Sequence, residues 1–186
     1  MRWIANSEAY SITSRGTKKN ERDNPAAGET ALFTHVYVKP MSAEQLYDSL
    51  IVATNAHKSG RSGWEQSEKQ RQQWLQQFVR TFGNDDGEES NSFDGTIPQA
   101  LMMMNGELVA DAVSVKAGSH LGDVLAGKGN ELQKISRLYM TALGRQPSKA
   151  ELNAAQKYLT RNPQPLAVYQ DLFWALLNSN EFIFNH

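Results

Sequence analysis

Two groups of side chains in this 186-residue sequence have types and spacings able to do chemistry. The first is the run NDDGEESNSFDG at residues 84–95. Asn84, Asp85, Asp86, Glu88, Glu89 and Asp94 crowd oxygen-bearing side chains there, and hard cations such as calcium take such oxygens. Asp85, Asp86 and Glu88 are therefore weak cation candidates. The EF-hand register fails, because Gly87 comes two positions too early when counted from Asn84 and Gly95 stands where the bidentate glutamate belongs. A solvated acidic loop is the favoured reading.

The second group surrounds Arg145. It follows Gly144 at an expected helix end, where a positive charge complements the negative pole of the dipole. Glu151 lies a short loop away, and the last helix offers Asp171 and Glu181. One reading is an anion or glycan contact. The preferred reading is an arginine-carboxylate clasp that holds the last three helices in register. Trp174, on the apolar side of the last helix, is taken as structural too.

Other chemistry is thinly supported. None of the four histidines has a partner at ligand spacing, whereas a zinc helix needs two of them one turn apart. Cysteine is absent, which removes disulfides, thiolate metal sites, a cysteine nucleophile and a c-type haem attachment within this chain. No nucleophile elbow, phosphate loop or dinucleotide glycine pattern occurs. Met102, Met103 and Met104 read as core filling rather than a sulfur ligand set. No catalytic residue and no cofactor are assigned.

Charge narrows the partners. A net charge of -1 creates no global field for nucleic acid or an anionic membrane. Arg15, Lys18, Lys19 and Arg22 cluster, but Glu21 and Asp23 dilute them and no aromatics interleave to stack on bases. The longest apolar run, residues 172–177, is far too short to span a bilayer. Nucleic acid and membrane insertion are not expected.

The elements that must position these groups are helical. Ser42 with Gln45 and Ser148 with Glu151 have capping-box spacing, so helices should open at both places. Trp74, Leu75, Phe78, Val79 and Phe82 make the buried side of a glutamine-rich helix over residues 64–82. A short helix over 97–104 is followed by one from 107 to about 117, with Leu108, Ala112 and Val115 inward. Residues 121–125 read as its continuation past Gly118, and Asn130 caps a further helix to about Leu143. The final helix starts near Pro165. Leu166, Tyr169, Leu172, Phe173, Leu176 and Leu177 share its face, and Trp174 and Ala175 widen it, which makes it the central core helix. In front lies a polar arm over residues 11–40, whose LFTHVYVKP segment should be extended and packed on the helices. The expected fold is all-α, an irregular bundle of about seven helices in a single domain, 1–186, with an extended N-terminal arm.

Several phrases together carry a family resemblance. QALMMMNGELV (residues 99–109), LYMTALGRQPSKAEL (138–152) and DLFWALLNSNEFIFNH (171–186) resemble the carboxy-terminal domain of unknown function in large planctomycete proteins. IANSEAYSITSR (4–15) and MSAEQLYDSL (41–50) resemble it as well, and the ending is the most specific phrase. The resemblance implies an exported, extracytoplasmic protein of which this chain is the C-terminal part. Upstream would lie a second uncharacterised domain and often a planctomycete-type cytochrome c domain, which would hold any haem. Many relatives carry cysteine in the region matching the acidic loop, and this chain has none. The resemblance brings no established activity and no catalytic residues.

Two functions compete. One is a non-catalytic helical structural or interaction module of a larger cell-envelope protein, docking on the upstream domains of the same polypeptide. The other is a polysaccharide-processing or glycan-binding domain in an extracytoplasmic degradation system. Its carboxylates would come from Asp111, Asp123, Glu151, Asp171 and Glu181, with Trp3 and Trp64 as the free sugar-stacking candidates.

Overall fold

Local capping chemistry decides where the helices begin. Ser42 accepts from the Gln45 N–H while Gln45 returns a bond to the Ser42 N–H, and Ser148 with Glu151 repeats the arrangement. Asn130 with Gln133 is a third such box, beyond the simple cap expected there. Each box satisfies two backbone donors that a helix start otherwise leaves open. Left-handed residues, Asn55 at φ 51° and Gly144 at φ 67°, stop two of these helices.

The computed structural model describes residues 2–14, 16–82 and 97–185. Its helices are α1 (Arg2–Ala5), α2 (Ala43–Thr54), α3 (Trp64–Phe82), α4 (Ile97–Asn105), α5 (Glu107–Ala112), α6 (His120–Ala126), α7 (Glu131–Leu143), α8 (Lys149–Arg161), α9 (Pro165–Leu177) and α10 (Asn180–Ile183). The fold is all-α. Its only ladder among the described residues joins β1 (Lys39–Pro40) to β2 (Phe184–Asn185), antiparallel, with Lys39 opposite Asn185. A further bond from the Met41 N–H to the Ile183 carbonyl, 3.2 Å, continues this tie between the arm and the chain's end.

One core runs through the helices. Tyr47 and Leu50 of α2 meet Trp74 and Phe78 of α3, and Leu121, Ile135, Leu138, Phe173 and Leu177 extend it through α6, α7 and α9. Side chains of this size each contribute about 1.5–3 kcal/mol when fully buried. The Tyr47 and Phe78 rings lie 5.7 Å apart, and Phe78 stacks on Phe82 at 4.8 Å.

Helix α9 is central as expected, but less enclosed than its sequence implies. Val168, Tyr169, Phe173, Leu176 and Leu177 are buried. Leu166 stays 46% exposed because it sits in the first turn, beyond the cover of its neighbours. Met103 fills the core while Met104 is exposed.

The helix expected from 107 to 117 is shorter. It ends at Ala112, leaving Val115 exposed. No helix can run through Gly118, whose φ of 84° is left-handed and where an added Cβ would stand 2.7 Å from the Lys58 carbonyl oxygen, so α6 is a separate element. Ser119 then caps α6 by accepting from the Gly122 N–H at 3.1 Å.

Candidate functional site

Three polar constructions stand out, one in the arm and two around α7 to α10. The arm's is built on Asp23, a residue the sequence reading treated only as diluting a basic cluster. Its carboxylate accepts from the Leu32 N–H at 2.8 Å, the Thr34 N–H at 2.7 Å and the Thr34 hydroxyl at 2.5 Å. The Tyr37 hydroxyl donates to it as well and accepts in turn from the Phe33 N–H at 2.8 Å. His35 Nδ1 stands 3.5 Å from the same carboxylate. Desolvation pushes the Asp23 carboxyl up, but the bonds from Thr34, Tyr37 and the Leu32 amide outweigh it and hold the group well below the usual carboxylate range. No sequence signal announced this knot, because its donors stand nine to fourteen residues downstream of Asp23, outside any short capping motif.

The second construction is the expected clasp. Gly144 ends α7 and releases Arg145 toward α8 and α10. Arg145 Nη1 and Nη2 donate to the two Glu151 oxygens at 2.9 and 2.8 Å. Nε and Nη2 donate to the two Glu181 oxygens at 2.5 and 2.7 Å. The guanidinium thus makes a planar fork on each carboxylate, a geometry lysine cannot reproduce. It also lies 5.7 Å from the centroid of the Tyr139 ring in α7. The hydrogen bonds from Arg145 hold the Glu151 carboxyl down at about 2, against desolvation. The bonds it donates to Glu181 and then to Glu151 push the Arg145 guanidinium up, so it carries its charge throughout.

Asp171 corrects the expected set. It takes no part in the clasp and accepts from the Tyr158 hydroxyl at 3.1 Å. Asp171 lies on the side of α9 that faces α8, while the turn into α10 brings Glu181 round to Arg145. Helical spacing alone did not separate these two carboxylates.

The third construction is an open groove of about 520 Å³ between α8 and α9, with Tyr139 of α7 also in its lining. Ala154, Ala155 and Ala175 keep its floor low, and Tyr158 and Trp174 form walls. Trp174 is anchored by its indole N–H, which donates to the Met104 carbonyl at 3.1 Å. A separate cavity of about 630 Å³ lies on the other side of the clasp, where Thr13, Ser14 and Val38 of the arm face Arg145 and Glu181.

The remaining sequence candidates are dispersed. Asp111 pairs with Arg61 at 3.0 Å and Lys116 at 3.3 Å, and Arg61 in turn covers the Trp74 ring at 5.3 Å. Asp123 sits in the first turn of α6. Trp3 and Trp64 are exposed on α1 and at the start of α3, and they line neither the groove nor the cavity beside the clasp. His120 Nε2 lies 2.9 Å from the Thr141 hydroxyl, and burial pushes its pKa down. Among the described residues no cluster of three or more His, Cys, Asp or Glu side chains is placed to hold a metal ion. Among them, too, no helix is long and apolar enough to cross a membrane. Asp85, Asp86 and Glu88, with the rest of the acidic loop, and Arg15 lie outside the described residues.

Comparison with known proteins adds one finding. Residues 1–159 match the family model described as PSD1, protein of unknown function (DUF1553). No curated protein and no solved structure matches the chain. The matched stretch contains the arm, the Asp23 knot, Arg145 and Glu151, and it stops before α9 and α10. The ending that carries the most specific phrase of the sequence thus lies beyond the match. With most of its length covered, the chain belongs to the PSD1 family of proteins of unknown function.

Proposed function

We propose that this chain is a non-catalytic helical interaction module of a larger cell-envelope protein, docking on an upstream domain of the same polypeptide through the tip of its arm. The observation that carries the reading is the presentation of Leu32 and Phe33. They are 58% and 73% exposed, yet the backbone beneath them is tied down on both sides by Asp23 and Tyr37. Phe33 also has φ 54°, a left-handed conformation that costs a bulky residue about 1–3 kcal/mol. Holding two apolar side chains outward on a strained, hydrogen-bonded turn destabilises the isolated chain. Burial of the aromatic ring in a partner's pocket would offset that cost.

An extracytoplasmic location, a planctomycete source, a C-terminal place in the polypeptide and a cytochrome c-type domain upstream belong to the same reading. The phrases at 99–109, 138–152 and 171–186 support them by resemblance. The glycan-processing alternative calls for a carboxylic acid that stays protonated near neutral pH. Glu151 is held in the opposite direction, and it shares one guanidinium with Glu181. The interaction module is therefore the better-supported function.

A photo-crosslinking residue placed at position 33 of the native polypeptide tests the docking. A crosslink to an upstream domain is expected, and independent tumbling of the domains with no crosslink would overturn the reading. Fractionation of the native cells tests location separately, with recovery in the cytoplasm as the contrary result.

A further inference from the structure

We propose that the groove between α8 and α9 binds a small organic cation, an ammonium group carried on an apolar body. The first ground is shape. Alanines at 154, 155 and 175 leave an opening of about 520 Å³, inside the range of roughly 300–1,000 Å³ typical of small-molecule sites. Such sites are mostly apolar with a few placed polar groups, and this groove has that composition.

The second ground is the walls. Tyr139, Tyr158 and Trp174 all line the groove, and the latter two are tethered at their polar tips, by Asp171 and the Met104 carbonyl. Tethered rings lose little freedom on binding, and aromatic faces attract cations through their quadrupole. The Tyr139 ring already hosts one such contact, with the Arg145 guanidinium.

The third ground is charge. Among the described residues, the charged side chains lining the groove are two carboxylates, Glu151 and Asp171. Glu151 is matched by Arg145. Asp171 receives only the neutral Tyr158 hydroxyl among the described residues, so its charge has no cation beside it. An uncompensated carboxylate next to aromatic walls and an alanine floor selects a positive, largely apolar ligand. A sugar, with hydroxyls all round, would find few polar partners here. The inference stands apart from the arm and its docking.

The test is a titration of the full chain, labelled with nitrogen-15, by choline. The reporter is the indole resonance of Trp174, assigned by its loss in Trp174→Phe. A saturable shift is expected. The neutral isostere 3,3-dimethylbutan-1-ol should bind at least about threefold more weakly or not at all, in keeping with the strength of cation–π contacts at a solvent-exposed site. Asp171→Asn, which keeps an acceptor for Tyr158, should weaken choline by about threefold, the scale of a solvent-exposed charge contact, and leave the isostere unchanged; an unaltered melting curve shows that the variant is folded. Phe33→Ser should leave choline binding unaltered, which separates this site from the arm. No saturable shift, equal binding of choline and its isostere, undiminished choline binding by Asp171→Asn, or a response to cellotetraose alone would each overturn the proposal.

Discussion

In the helical body the largest side chains fully withdrawn from solvent are aromatic, Trp74, Tyr47, Phe78 and Phe173, and polar groups withdrawn as fully, such as Thr54 and Ser119, are uncharged. In the arm it is the carboxylate of Asp23 that is withdrawn, while the Phe33 ring is left outside. The two regions therefore rest on different physics. Area removed from water stabilises the body, in many small and separable increments. The arm depends on several donors converging on one charge, each of which loses its purpose without the others. The body should yield only in part to a polar change at its surface and fail on one change in its core. The arm should do the reverse.

The largest effect should come from striking the body at its centre. Leu176 is nearly buried on α9, and Leu176→Asp would place a charge among apolar groups with no partner. The expected outcome is loss of cooperative folding, followed by circular dichroism during a thermal melt. A soluble variant with a sharp transition would show that α9 is peripheral.

Arg145→Ala tests whether polar contacts matter to the body at all. It strands Glu151 and Glu181 against each other, but these side chains are about a third exposed, so water recovers part of the loss. A destabilisation of about 1–2 kcal/mol is expected, or a fall of roughly 2–8 °C in melting temperature for a chain of this size. Arg145→Lys should recover only part of it, since a point charge cannot fork onto two carboxylates. The clasp also gives acid sensitivity of known sign. Glu151 is depressed from an ordinary value of 4.5 to about 2, so its contribution is complete above 4.5 and is lost as pH falls toward 2. An unchanged melting temperature for Arg145→Ala would remove the clasp from any account of stability.

Asp23→Asn probes the arm in the same way and should leave the body almost untouched. The substitution turns an acceptor-only group toward four donors with a group that must itself donate. Hydrogen exchange at the Leu32 and Thr34 amides should accelerate strongly, while the melting temperature moves by no more than a degree or two. The wild-type amides should behave likewise in acid. Because the Asp23 carboxyl is depressed, their protection is present above the ordinary carboxylate range and lost as pH falls below it. A large fall in melting temperature would mean the arm is part of the core.

The same contrast explains what could be read in the sequence. Helix starts were legible because capping boxes at Ser42 and Ser148 are local, with both partners within one turn. The core of α2, α3 and α7 was legible because burial repeats with the helix period, except that Val79, expected on the buried side of α3, is exposed. Arg145 and Glu151 were legible for the same local reason. The second carboxylate was not, since Asp171 and Glu181 are alike in sequence and only the turn after Leu177 separates them in space. The separation of α6 from α5 was obscured because the left-handed Gly118 is required by the Lys58 backbone, a contact across sixty residues of chain. Asp23 was invisible on the same grounds. A carboxylate whose donors are distant in sequence looks like any other charge in a polar loop.

The smallest expected change in stability is also the most discriminating. At Phe33 the backbone favours glycine and the side chain is mostly in solvent, so Phe33→Gly relieves strain and gives up one tilted ring contact, with Tyr37 at 5.5 Å. The isolated chain should be unchanged or more stable by up to about 1 kcal/mol. If the ring is kept there for a partner, crosslinking from the neighbouring position 32 to the upstream domain should fall at least about tenfold, the loss of one aromatic anchor. Folding and docking then move in opposite directions under one substitution. A Phe33→Gly chain that is clearly destabilised would place the ring in the service of the arm's own structure, and the apolar tip would no longer argue for a partner.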